Sequence, residues 1–351
     1  MRNQDLTDDL LQQVQQAAAT GTALRIVGSD SKAFYGGDCQ AATPISMFDH
    51  CGVIDYEPSE LVLSARSGTP LDDIKALLAQ HGQMLAFEPP AFGEKATLGG
   101  TLACGFSGPR RPFAGSARDF MLGCKIVNGQ GEVLSFGGRV MKNVAGFDVS
   151  RLMVGAMGSL GVLLEVSLRV LPAPEAELSL VYSLTVTDAL ARMSAIAAQP
   201  WPLSALAYDG EQLRVRLSGA EAAVQAAARQ LGGEIDPQGE TFWWDLREQR
   251  LAFFQQPGDL WRISMAPAAA PLALSGNWFM DWGGALRWLK TDLPADVIHT
   301  ATAKAGGYAT SFRGLDKNAW IRLDPALLAL QQKIRMAFDP LKLFNPGRLH
   351  G

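Results

Sequence analysis

Residues 96–108 read Ala-Thr-Leu-Gly-Gly-Thr-Leu-Ala-Cys-Gly-Phe-Ser-Gly, and this run decides how the rest of the chain is read. Glycines Gly99, Gly100, Gly105 and Gly108 interrupt short apolar pieces, a pattern of tight turns between brief elements. The same texture continues through GCKIVNGQGEVLSFGG (123–138) and VGAMGSLGVLLEVSLRVLP (154–172). Upstream, an apolar strand over Ala23–Val27 runs into Gly28-Ser29-Asp30-Ser31-Lys32 and then Gly36-Gly37. Gly and Ser there let the chain turn sharply and offer backbone N–H groups to an anion, so a phosphate or pyrophosphate suits the loop. A plain turn has the same composition. The stretch is neither GxGxxG nor GxxxxGK[ST], so dinucleotide-fold and P-loop readings fit poorly.

Further outward, Leu6, Leu10, Leu11, Val14 and Ala18 form a helical stripe over 5–19 that Gly21 ends. A strand at 61–65 and a helix at 71–82 follow. After Pro172-Ala173-Pro174 the texture changes to strand 178–186, helix 188–199, strands 203–208 and 213–218, and helix 220–232. That order predicts a split β-α-β lobe. Later segments at 260–265, 277–282, 285–290, 294–305 and 308–314 complete or extend it, and a helix followed by Pro/Gly turns closes the chain. No repeat or low-complexity run is visible in the sequence.

Composition narrows the function. The chain has 351 residues, 48% apolar and 19% charged, enough for a large core in two domains or one elaborated domain. Its net charge of −4 (31 Lys and Arg against 35 Asp and Glu) lacks the basic surplus of nucleic-acid binders. The polar opening MRNQDLTDDLLQQVQQ is not a signal peptide, so a cytoplasmic location is expected. The uncharged stretch 263–280 contains Pro267, Pro271, Gly276 and Asn277 and is not read as membrane-spanning. Cys39, Cys51, Cys104 and Cys124 are too far apart for a zinc clip or a compact iron–sulfur cluster, so no metal is expected.

Taken in order, Pro89-Pro90, Thr97–Thr101, Ser107-Gly108, Arg118-Asp119-Phe120, GGRVMKNVAGFD (137–148) and Gly158-Ser159-Leu160-Gly161-Val162 resemble the vanillyl-alcohol-oxidase-type (PCMH-type) FAD-binding family. Arg139–Leu171 and the closing Phe338-Asp-Pro with Asn345-Pro-Gly-Arg348 are similar to its 2-hydroxyacid branch, and within that branch to the family of FAD-binding E subunits of bacterial glycolate oxidase (glycolate dehydrogenase). The resemblance implies an α+β fold: a PCMH-type, two-subdomain FAD-binding domain over 1–173, a smaller ferredoxin-like α+β cap lobe over 174–319, and a segment 320–351 returning to the FAD domain. It implies pyrophosphate contacts from Val27, Gly28, Ser29, Asp30, Ser31 and Lys32. Flavin and ribityl contacts would come from Pro89, Thr97, Leu98, Gly99, Gly100, Thr101, Ser107 and Gly108, and adenine contacts from Gly158, Gly161 and Val162. Arg118 and Asp119 are either part of the site or a structural ion pair. Neither His nor Cys stands between Ser29 and Gly37, so non-covalent FAD is expected.

The implied activity is oxidation of glycolate, and of related 2-hydroxy acids such as D-lactate, to the 2-oxo acid. Electrons would pass through FAD to an iron–sulfur partner subunit, alongside a homologous larger FAD-binding subunit, with membrane association at the inner face through those partners. Such chemistry needs a carboxylate clamp and a base. Arg287 and Arg313 are clamp candidates by residue type, because a guanidinium pairs bidentately with a carboxylate. No base stands out: His50, His81, His299 and His350 form no pair at helical spacing, unlike the clustered histidines of catalytic relatives. Two alternatives stay open, an oxidising subunit and a non-catalytic flavin-carrying or scaffolding subunit. A UDP-sugar reductase of the same fold fits the closing NPGR and the KNVAGFD segment less well.

Overall fold

The computed structural model describes residues 2–39, 42–138, 148–314 and 322–349. The GGRVMKNVAGFD motif and His350 therefore lie almost wholly or wholly outside the described residues. The chain divides into two compact units, one of residues 1–107, 115–173 and 323–351, the other of 108–114 and 174–322.

The first unit opens with the amphipathic helix Thr7–Thr20, which buries Leu10, Val14 and Ala17 and stops at Gly21 in the left-handed conformation. Strand Leu24–Val27 pairs in parallel with Thr43–Ser46. A five-stranded antiparallel sheet runs in the order Val53–Glu57, Val62–Arg66, Val162–Arg169, Met121–Val127, Val133–Gly137. Its central strand Val162–Arg169 reads Val-Leu-Leu-Glu-Val-Ser-Leu-Arg, and its inward residues meet helix Thr7–Thr20 and the returning chain end in one core of Leu10, Val14, Leu24, Ile45, Val127, Val162, Leu164, Leu343 and Phe344. Leu10→Ala there would cost about 2–5 kcal/mol. The C-terminal segment is stitched to the first strand: Leu24 N–H donates to the Leu343 carbonyl (2.7 Å), Asn345 N–H to the Leu24 carbonyl (2.8 Å), and Ile26 N–H to Asn345 Oδ1 (2.8 Å).

The second unit contains one eight-stranded sheet in the order Glu234–Ile235, Ala176–Ser183, Gln212–Gly219, Leu203–Tyr208, Asn277–Asp281, Leu286–Thr291, Asp259–Ser264, Tyr308–Arg313. Numbered by chain order, its first four strands are arranged 4-1-3-2, with helices Val186–Ala197 and Glu221–Leu231 as crossovers. The ferredoxin-like expectation holds for this half. The remaining four are arranged 2-3-1-4, the same order reversed, with helix Ala295–Lys304 as the second crossover and the non-helical stretch 265–276 where the first helix would stand. The halves join at the pairing of Tyr208 with Met280. The repeat is one of topology, invisible in sequence because the two halves fill their cores differently. The first uses Leu, Val, Ala and Met; the second uses Trp261, Ile263, Met265, Leu289 and Ile298.

Candidate functional site

In the first unit, a groove opens over the loop that follows strand Leu24–Val27. Arg25–Ala33 form one wall, Ser67, Thr97, Gly99, Gly100, Ala103 and Cys104 another, and Met157, Gly158, Gly161, Leu163, Asn345 and Arg348 close it.

The loop is shaped to present its backbone. Asp30 sits at φ +59° with its carboxylate held by Arg25 at 2.8 Å. The carbonyls of Asp30 and Lys32 accept from Ala33 and Tyr35, whereas the N–H groups of Gly28 to Ser31 have no backbone acceptor among the described residues. Successive free amides of this kind form an anion-binding concavity. Lys32 adds a buried ammonium that donates to the Ala91 carbonyl at 3.0 Å. Opposite, Thr97 caps helix Leu98–Cys104, its Oγ1 accepting from Gly100 N–H at 3.2 Å. Gly28 is required by close approach, since a Cβ there would overlap the Thr97 hydroxyl. Gly158, at φ +72°, lies against Asn345, where a Cβ would fall 2.6 Å from Nδ2.

Two buried hydroxyls, Ser67 Oγ and Thr101 Oγ1, have no hydrogen-bond partner among the described residues, and Ser67 lines the groove. An orphaned donor on the wall of a pocket fits an extended polar ligand that supplies its acceptor. With the open amides and the small residues of the floor, the groove suits a dinucleotide cofactor bearing a pyrophosphate.

The sequence-predicted residues are distributed as follows. Val27, Gly28, Ser29, Asp30, Ser31, Lys32, Thr97, Gly99, Gly100, Gly158 and Gly161 all line the groove. Leu98 and Val162 are wholly buried behind it, and Pro89 is buried away from its lining. Ser107 Oγ accepts from Ala117 N–H at 3.0 Å. Gly108 belongs to the second unit, where its carbonyl accepts from Trp282 Nε1 at 3.0 Å. Asp119 accepts from both the N–H and the hydroxyl of Ser116, closing a short helical turn, and Arg118 is exposed beside it. Cys104 does reach the groove, and its thiol is pushed up by burial against the opposing charges of Lys32 and Arg348.

Sequence reading missed Ser67, Met157, Asn345 and Arg348 as walls of the groove. Asn345 Nδ2 donates to the Met157 carbonyl at 2.7 Å, and Arg348 donates to the Lys32 and Ala33 carbonyls at 2.9 and 3.1 Å. The NPGR ending was the available signal, without a hint that it folds back on residue 32.

The arginines chosen by type are differently employed. Arg287 is fully buried, and its guanidinium donates to the carbonyls of Gly284, Ala270 and Ala269, which leaves its fork no edge for a substrate carboxylate. Arg313 Nε donates to Gln249 Oε1 at 3.2 Å. The three described histidines make structural contacts. His50 is buried with Nδ1 accepting from Leu6 N–H at 3.0 Å and Nε2 against the Leu164 carbonyl at 3.1 Å. His299 stands edge-on to Trp261 and His81 edge-on to Tyr56. Among the described residues no three His, Cys, Asp or Glu side chains gather as a metal site, and no helix is long and apolar enough to cross a membrane.

Comparison with known proteins gives the cofactor. Residues 5–137 match the family described as FAD binding domain, so the cofactor is FAD. Glycolate oxidase subunit GlcE of Escherichia coli K12 is 48% identical over 350 residues, covering 100% of this chain and 99% of that one. Glycolate oxidase subunit GlcD of Bacillus subtilis is 29% identical over 151 residues (42% of this chain, 32% of that one), and D-lactate dehydrogenase of Anaerostipes hadrus 33% over 130 (37% and 27%). Among solved structures, alkyldihydroxyacetonephosphate synthase superposes with a TM-score of 0.69 over 98% of this chain and 76% of that chain at 15% identity, a likeness of fold alone. The fold is thus the PCMH-type FAD-binding fold, and with end-to-end similarity at 48% identity the protein belongs to the family of glycolate oxidase subunit GlcE.

Proposed function

We propose that this chain is the FAD-binding subunit of an enzyme complex that oxidises glycolate, and related 2-hydroxy acids such as D-lactate, to the 2-oxo acid. The observation that carries this reading is the full-length similarity to the GlcE subunit. When bound, FAD supplies the hydride acceptor. The chain's own contribution is to hold it: the Gly28–Ser31 amides take the pyrophosphate, Thr97 keeps Gly99 and Gly100 against the groove, Ser67 supplies a buried hydroxyl, and Arg348 fixes the far wall by gripping the loop carbonyls. The chain has no iron–sulfur cysteine spacing, so electrons leave to a partner subunit bearing such clusters, and membrane association runs through partners. A homologous larger subunit of the GlcD type completes the complex.

A second reading has its own support. His50 is buried and hydrogen-bonded, and His299 and His81 stand edge-on to aromatic rings, an arrangement that poises none of the three as a base and favours a flavin-carrying subunit with oxidation performed by the larger chain. Purified protein should show a flavin spectrum and release free FAD on acid precipitation; a colourless chain that cannot be reconstituted refutes the main reading. Anaerobic mixing of the FAD-loaded chain with glycolate separates the two readings. Bleaching without partners assigns oxidation to this chain, and an unbleached flavin that is bleached in the complex assigns it elsewhere.

A further inference from the structure

The second unit contains a basic and aromatic cluster that the arginines chosen by residue type do not include. Strand Asp259–Ser264 pairs with Tyr308–Arg313 so that Arg262 lies opposite Thr310 and Ser264 opposite Tyr308. Directly paired residues share a face of the sheet, as do positions two apart, so Arg262, Ser264 and Tyr308 project together. The Tyr308 ring is half exposed, and its hydroxyl lies close enough to Ser264 and Arg262 to feel both. Beside them, the Arg262 guanidinium stands 5.1 Å and that of Arg111 4.3 Å from the centroid of one ring, Trp282.

Trp282 is fixed from two directions: its indole N–H donates to the Gly108 carbonyl at 3.0 Å and its backbone N–H to Asp281 Oδ1 at 2.7 Å. It also holds φ +53°, a conformation that bulky residues rarely adopt. Backbone outliers of this kind persist where the surroundings over-determine them and collect at ligand clamps. On the other neighbour of the same strand, Arg262 lies opposite Trp288, whose buried indole N–H has no acceptor among the described residues.

Unlike Arg287, Arg262 has no carboxylate within ion-pair distance and no carbonyl acceptor among the described residues. Partial burial works to raise the Tyr308 phenol, but the charge of Arg262, the hydrogen bonds of Ser264 and Arg262, and the charge of Arg111 outweigh it and bring the phenol below its ordinary range. The local field therefore favours negative charge at this spot. Stacking on one indole partly offsets the repulsion of two guanidinium groups and orients their planar forks.

We propose that Arg262, with Arg111 beside it on the Trp282 ring and the Tyr308 hydroxyl as a further donor, binds the carboxylate of a small 2-hydroxy acid, an assignment that rests on the function proposed above. Arg262 is the bidentate partner, Trp282 positions it, and Tyr308 donates its O–H to a substrate oxygen.

The test is calorimetric titration of the FAD-loaded full chain with oxalate, an unreactive dicarboxylate, and with glycolamide, the uncharged counterpart of glycolate, together with glycolate kinetics of the assembled complex. Wild type should bind oxalate and not glycolamide. R262Q should weaken oxalate binding and raise the glycolate KM about tenfold to a hundredfold, with FAD content unchanged, the range expected for hydrogen bonds to a charged group. R262K should fall between, because it retains charge and loses the fork. Y308F should raise KM about threefold to tenfold. R250Q, which removes an arginine stacked on Trp244 elsewhere in this unit, should leave oxalate binding as in wild type. If R262Q does not fold, R262K and Y308F carry the test. Oxalate affinity and KM within twofold of wild type in R262K and Y308F, while the complex turns over glycolate, would overturn the cluster assignment and leave the proposed function standing. Oxalate binding that depends on Arg262 in a complex that oxidises no 2-hydroxy acid would overturn the proposed function and with it the substrate assignment.

Discussion

The FAD groove and the Arg262 cluster are built from opposite materials. The groove in the first unit is made mainly of backbone: amides of Gly28–Ser31, a capped helix start at Thr97–Gly100, and glycines whose missing side chains leave room. The cluster in the second unit is made of large side chains, Arg262 and Tyr308 set by strand register and Arg111 and Trp282 packed beside them from a short helix and a turn. A backbone site tolerates changes in its side chains but not the gain of a Cβ; a side-chain site behaves in the reverse way. The first kind is marked by residue type along a short stretch, and the second leaves no local mark.

The largest expected effect tests the backbone half. Gly28→Val adds a branched side chain where even a Cβ overlaps the Thr97 hydroxyl, so FAD content should fall below about a tenth of wild type by absorbance after acid release. Gly99→Val should have a similar effect for a different reason, because its Cβ would lie 2.6 Å from the Ser67 Cβ and 3.0 Å from the Ser67 carbonyl, displacing Ser67 from the wall they share. Near-stoichiometric FAD in both variants would mean the contrast is drawn in the wrong place.

Next, Arg287→Met should destabilise the second unit by about 1–3 kcal/mol in denaturant unfolding, since it strands the buried Gly284 carbonyl and removes the bonds to the half-buried and exposed carbonyls of Ala269 and Ala270. The oxalate affinity of the folded fraction should stay at the wild-type value, in contrast to R262Q. Weakened oxalate binding in the folded Arg287→Met protein would restore Arg287 as a clamp.

A smaller effect is expected from Thr97→Val, which keeps shape and deletes the cap: about 1 kcal/mol of stability and a severalfold faster loss of FAD on dilution. The smallest is a pH effect. Burial holds the His50 imidazole below its ordinary 6.5, against the attraction of Asp5, so the unfolded chain takes up a proton that the folded chain resists. Stability should therefore decline as pH falls through about 6.5, by at most about 1.4 kcal/mol per pH unit, and His50→Gln should flatten that slope in melts between pH 5 and 8.

Much of the first unit was legible in the residues. The apolar stripe of Leu6, Leu10 and Val14 became helix Thr7–Thr20, and the glycine clusters fell at the turns that line the groove. The groove's far wall was not legible, because Asn345 and Arg348 reach Ile26 and Lys32 across more than three hundred residues. In the second unit the alternation of strands and helices was readable, whereas its doubled 4-1-3-2 order was not, since the halves share topology and not residues. Arg287 shows the limit best: by type it was a fair clamp, and only its burial against three carbonyls removed it.

By itself, the sequence determined the glycine-built turns, the family and, with it, the cofactor. These depend on conformational freedom that glycine alone supplies, a local property legible from residue type. Tertiary structure decided which arginine is spent on the fold and which stands ready for an anion, and it brought residues 111, 262, 282 and 308 to one face. Register and packing set those relations over long separations, and no local pattern encodes them.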